Sequence, residues 1–189
     1  ALRYAHRPPP DADVAELEEG RHPAQRRLAF EELLAHQLSL RLLRQETDKD
    51  AAWSLPRKSD LSERCLASLP FKLTGAQQRV WAEIALDLER PHPMMRLVQG
   101  DVGSGKTVVA ALAAVRAVEH GAQAAVMAPT ELLAEQHARN FNAWLEPLGV
   151  RVALLTGRQT GKVRAALESD LASGAIQVAV GTHALFQED

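Results

Sequence analysis

The chain has 189 residues, 46% of them apolar, and a formal net charge of −2. That length suits one globular domain with attached elements or two small ones, and the charge balance excludes the bulk positive field of a small autonomous DNA-binding domain. An aromatic content of 4% excludes a platform of stacked aromatics for single strands, and a lone Cys65 excludes an internal disulfide or a cysteine zinc cluster. No apolar run approaches the roughly 18 residues of a membrane span, so a cytoplasmic location is expected. The chain begins Ala1-Leu2-Arg3 with neither an initiator Met nor a signal peptide, and its start is expected to be an internal cut.

Arg7-Pro8-Pro9-Pro10 reads as a stiff extended connector. Asp11 and Asp13 are candidate caps for a short acidic helix that stops at Gly20, and Pro23 then occupies a favourable first-turn position in a longer helix. In that helix Phe30, Leu33, Leu34, Leu38 and Leu42 recur at threes and fours, an apolar stripe that needs a partner surface. Thr47 to Arg57 reads as a loop, and Ser59-Asp60 followed by Glu63 predicts a capped short helix before Pro70.

From Phe71 onward the pattern alternates. A helix from Gly75 to about Glu89 stops before Pro91-His92-Pro93. Strands are then predicted at 97–99, 124–127, 152–155 and 176–180, with helices near 107–119, 130–145 and 161–172. This βαβαβαβ order implies an α/β fold with a parallel sheet, right-handed crossovers, helices on both faces and ligands at the carboxyl ends of the strands.

Gly100-Asp101-Val102-Gly103-Ser104-Gly105-Lys106-Thr107 satisfies the phosphate-loop pattern G-x-x-x-x-G-K-[ST], between an apolar segment and a helix. Glycines let the loop turn its N–H groups inward, and the following helix adds unpaired amides and the positive end of its dipole. A nucleoside triphosphate fits there. Lys106 is expected to reach the β and γ phosphates, and the Thr107 hydroxyl to take one coordination position on a magnesium ion.

Several blocks at strand ends, with the helix near the start, resemble one family, the RecG type of ATP-dependent DNA helicase, which rewinds and branch-migrates stalled forks and junctions. The blocks are His22-Pro23-Ala24-Gln25 with Phe30 to Leu38, Leu73-Thr74-Gly75-Ala76-Gln77, Gln99 to Thr107, Ala128-Pro129-Thr130-Glu131 through His137, and Gly181-Thr182-His183-Ala184-Leu185. The resemblance implies a RecA-like phosphate-loop lobe over 71–189, with a parallel sheet incomplete at its C-terminal end. It also implies a helical linker over 1–70 that joins a wedge domain to the motor. Phe71 then lies against the adenine and Gln77 bonds its edge, although Thr74 and Gln77 also form a capping box in their own right. Pro129, Thr130 and Glu131, Thr156, Gly157 and Arg158, and Gly181, Thr182 and His183 are the implied DNA contacts, made mostly to backbone phosphates.

The D-E-x-H block that holds magnesium in that family does not occur in the chain, and the terminal Glu188-Asp189 lack a buried strand before them. A fragment is therefore expected, inactive alone, with a second helicase lobe and the wedge domain as its partners in a monomeric whole. His183 and the scattered His6, His22, His36, His92, His120 and His137 lack metal spacing, and Cys65 reads as a structural thiol. The alternatives are the transcription-repair coupling and primosomal translocases, another phosphate-loop enzyme such as a nucleotide kinase, and a non-catalytic fragment that docks through the striped helix.

Overall fold

In the computed structural model, which describes residues 1–10, 12–47, 49–159 and 161–186, three parallel strands form one sheet. They are β1 (Ala124–Met127), β2 (Val152–Leu155) and β3 (Val178–Gly181), in the order β1-β3-β2. The register aligns Met127, Gly181 and Leu155 in one row, so the three chain segments leave the sheet side by side. The helices are α1 (Leu2–His6), α2 (Val14–Glu18), α3 (Pro23–Thr47), α4 (Leu61–Ser68), α5 (Gly75–Leu88), α6 (Lys106–Glu119), α7 (Glu131–Leu145) and α8 (Gly161–Ala172).

Two compact units divide the chain at Ala51/Ala52. In the first, α1 packs on α3, with Tyr4 and His22 stacked ring on ring at 4.2 Å. Asp13 caps α2 by accepting from the amides of Ala15 and Glu16, as its position suggested, while Asp11 lies outside the described residues. The stripe on α3 is exposed at Phe30, Leu33, Leu34, Leu38 and Leu42.

The second unit is built around β3, buried at all four positions. Val178 and Val180 point into a core with Leu112 and Val115 of α6 and Phe141 and Leu145 of α7. Ala179 faces the other way, into a smaller cluster with Ala153, Leu155, Ile176 and Leu167 and Leu171 of α8. Helices therefore cover both faces, as a parallel sheet requires. Cys65 of α4 sits fully buried in the larger core, where burial pushes its thiol up to about 11, so it is a packing residue.

Residues 52–70, the later part of the expected linker, fall in this second unit. Leu55 donates its amide to the Leu88 carbonyl at 2.8 Å and Ser54 Oγ to the Glu89 carbonyl at 2.6 Å, which satisfies two orphan acceptors at the end of α5. Ser59 supplies a bond to the Leu61 amide, but Asp60 makes no side-chain cap and Glu63 pairs with Arg57 at 2.7 Å. The cap on α4 comes from 57 residues away. The Glu119 carboxylate, at the end of α6, accepts from the Ser62 amide at 2.9 Å and from the Ser59 hydroxyl at 3.1 Å.

Residues 97–99, expected as a strand, are not one. An extended segment becomes a strand only by pairing, and among the described residues the outer edge of β1 pairs with nothing. Arg96 instead ties this segment to α5 through Asp87 and Glu83, each at 2.6 Å, and Val98 packs against the cluster of Ile84, Val108 and Val109. Leu97 is left 90% exposed.

The Arg116 and Glu119 side chains are both buried, 3.6 Å apart, with Arg116 also over the Trp81 ring. Removing one partner strands the other charge in the interior. Glu119→Ala is expected to lower stability by about 3 kcal/mol, read as a fall in the urea midpoint at unchanged slope.

Candidate nucleotide site and strand-end edge

The loop that joins residue 99 to α6 contains two left-handed residues, Gly103 at φ +83° and Gly105 at φ +79°, conformations that disfavour any side chain. Gly105 is also the N-cap of α6 and supplies no side-chain cap. The amides of Gly103, Gly105, Lys106 and Thr107 donate to no backbone carbonyl among the described residues. Amides without backbone acceptors, at the start of a helix and the positive end of its dipole, are the chemistry that attracts an anion.

Lys106 folds back over this loop. Its Nζ donates to the carbonyls of Gly100 at 2.7 Å and Asp101 at 2.8 Å, with Ser104 Oγ at 3.5 Å. The ammonium is thus held by neutral acceptors rather than by a carboxylate, bonds weaker than those between two charged groups. Thr107, partly buried, is the second residue of α6. No cluster of three His, Cys, Asp or Glu side chains that could hold a metal stands among the described residues.

The Gln77 side chain is bonded at both ends of its amide. Its Oε1 accepts from the Thr74 amide at 2.8 Å and its own amide donates to Thr74 Oγ1 at 3.3 Å, which completes the capping box of α5. Its Nε2 then reaches the Ser104 carbonyl at 2.8 Å, a bond that ties α5 to the phosphate loop and that sequence spacing did not disclose. A Cβ added at Gly105 would collide with that amide nitrogen. Phe71 is 42% exposed, edge-on to Trp144 at 6.1 Å, and borders an open cleft of about 620 Å³ with Pro70, Lys72 and Gln78.

The other candidate residues gather on one edge. Pro129 and Thr130 follow β1, Thr156, Gly157 and Arg158 follow β2, and Thr182 and His183 follow Gly181 of β3, so the shared register sets the three turns beside one another. Thr130 caps α7, accepting from the Leu133 amide at 3.3 Å. Thr156 and Thr182 are buried, their neighbours Gly157 and His183 exposed. Gly181 is required by packing: a Cβ there would collide with the Leu155 carbonyl. Arg158 is paired with Glu131 at 2.7 Å, a contact between two of the expected DNA blocks. Glu188 and Asp189 lie outside the described residues.

Residues 74–188, which span the phosphate loop and all three strand-end turns, match the DEAD/DEAH box helicase family. The chain belongs to that family. This helicase lobe and the preceding helices are 60% identical over 188 residues to the ATP-dependent DNA helicase RecG of Escherichia coli K12, and 56% identical over 189 residues to that of Haemophilus influenzae. Both matches cover 100% of the chain, which spans about a quarter (27%) of the length of these relatives. The solved structure of RecG bound to a three-way DNA junction superposes with a TM-score of 0.77 at 46% identity, over 87% of this chain and 22% of that one. The resemblance drawn from the strand-end blocks therefore holds along the whole chain, and the helicase-like α/β lobe is the fold of the family. Among the described residues no helix is long and apolar enough to cross a membrane.

The two left-handed glycines separate conformation from contact. Gly103→Ala meets no atom within 4 Å, so it is expected to cost about 1–2 kcal/mol of backbone strain alone, whereas Gly105→Ala adds a collision with Gln77. Thermal unfolding should therefore rank Gly105→Ala below Gly103→Ala and both below wild type.

Proposed function

We propose that the chain is the ATP-binding first lobe, with its helical linker, of an ATP-dependent DNA helicase that acts on branched DNA such as forks and Holliday junctions in recombination and repair. The observation that carries the proposal is the pairing, in one lobe, of an amide-lined phosphate loop with an edge where three strand-end turns converge. A nucleotide kinase needs the first and has no use for the second. The identity to RecG helicases along the full chain supports the same substrate class.

In this reading the amides of Gly103 to Thr107 receive the phosphates, and Lys106 exchanges the carbonyls of Gly100 and Asp101 for phosphate oxygens. Thr107 would hold one position on magnesium, which when bound neutralises charge on the β and γ oxygens. Phe71 and Gln77 would border the adenine, Gln77 from the position that already braces the loop through Ser104. On the other edge the exposed Pro129, Thr130, Gly157 and His183 would meet the phosphates of a DNA strand, through hydroxyl and backbone donors that need no net positive charge, with the buried Thr156, Gly181 and Thr182 shaping the turns behind them. We further propose that residues 1–70 link this lobe to a wedge domain, and that closure on a second lobe of the same monomeric chain, in the cytoplasm, completes the enzyme.

Lys106→Ala in the complete protein is expected to lower steady-state ATP hydrolysis about 100-fold or more with the fold intact by circular dichroism. Hydrolysis at the wild-type rate would overturn the role of Lys106. Thr130→Ala is expected to raise the DNA concentration that half-stimulates hydrolysis while nucleotide affinity without DNA stays near wild type. A loss of about 1 kcal/mol of stability with unaltered DNA stimulation would reduce Thr130 to a helix cap.

A further inference from the structure

Arg158 follows Gly157 in the turn after β2. Its guanidinium is the cation nearest in sequence to the strand ends, and two carboxylates engage it: Glu131 Oε2 stands 2.7 Å from Nε and Glu135 Oε1 3.9 Å from Nη1. Glu131 and Glu135 lie one turn apart at the start of α7, which crosses from β1 over β3 to β2 and so brings residues that follow the first strand to the turn after the second. Arg164, the next arginine along the chain, is occupied as well, by Glu168 at 2.5 Å and by the Ala184 carbonyl at 3.2 Å.

We propose that Glu131 is a competitor for nucleic acid at this edge: it holds Arg158 until a backbone phosphate displaces it, and thereby sets how tightly the edge binds DNA. The inference rests on the DNA reading of the edge and alters one part of it, because an ionised carboxylate has no hydrogen to donate to a phosphate oxygen. The exchange is cheap. The Arg158 side chain is 75% exposed, and pairs so exposed are weakly held. A phosphate offers the planar guanidinium two oxygens in fork geometry. Only side chains need move, since Glu131 stays on its helix and Gly157 leaves an open approach, with Glu131 Oε1 4.0 Å from where a Cβ would stand.

The test is a double-mutant cycle in the complete protein, read by anisotropy of a fluorescent DNA duplex over a salt titration, with thermal unfolding as the check on folding. Glu131→Gln is expected to tighten binding about two- to fivefold at fixed salt, the range of a weak exposed pair. Arg158→Ala is expected to reduce the slope of log affinity against log salt by about 0.9, one phosphate contact. In the Arg158→Ala background the glutamine change should then alter affinity by less than about a tenth of a log unit beyond general charge effects. If Glu131→Gln tightens binding equally with and without Arg158, the carboxylate merely repels DNA and the competition is overturned. If it fails to tighten binding while Arg158→Ala still reduces the slope, Arg158 contacts DNA unopposed and the proposal falls alone. If Arg158→Ala and Thr130→Ala both bind as wild type does, the DNA reading of the edge fails, and the proposal with it.

Discussion

Everything in the lobe depends on β3 being buried between two parallel neighbours. Val178 and Val180 anchor α6 and α7 on one face, and Ala179 receives α8 on the other. The backbone spacing of that strand also governs the strand-end edge, because the close approach of the Leu155 carbonyl leaves room at position 181 for glycine alone. With β1 and β2 in matched register on either side, the turns after all three strands are brought to one level. The edge is thus a by-product of sheet pairing, and the hydroxyls of Thr130, Thr156 and Thr182 inherit their positions from it.

The helix α6 serves two ends. At its start the glycine turn leaves amides free, and at its finish Arg116 and Glu119 are buried beneath the segment 53–62. His120 continues that seam with a 2.7 Å bond to the Pro56 carbonyl. A displacement of α6 along its axis would disturb the cap of α4 at the same moment as the phosphate loop, so the two ends of the helix are mechanically joined.

Much of this was legible in the residues and some was not, for physical reasons. The glycine turn before α6, α5 to α8 and the strands at 124–127, 152–155 and near 178 follow from local patterns: glycine spacing, capping boxes and short apolar runs. The helix α1 has five residues, too few to show a period. Residues 97–99 carry a strand-like composition, but a strand is defined by its partner, which no window of sequence displays. The same holds for the non-local bonds. Glu119 looks like the last acid of a helix and proves to cap another. Glu131 looks like a first-turn acid and proves to neutralise Arg158, and Gln77 looks like a cap and proves to reach Ser104 as well.

The posture of Lys106 has a consequence for how the loop behaves over time. Its ammonium is the internal tie of the loop, drawing the carbonyls of Gly100 and Asp101 toward the start of α6. In the proposed reading the same nitrogen would meet an incoming phosphate, so capture and untying would be one event: two carbonyls would be handed back to solvent, and the fully exposed crest at Val102 would lose the side chain that laces it.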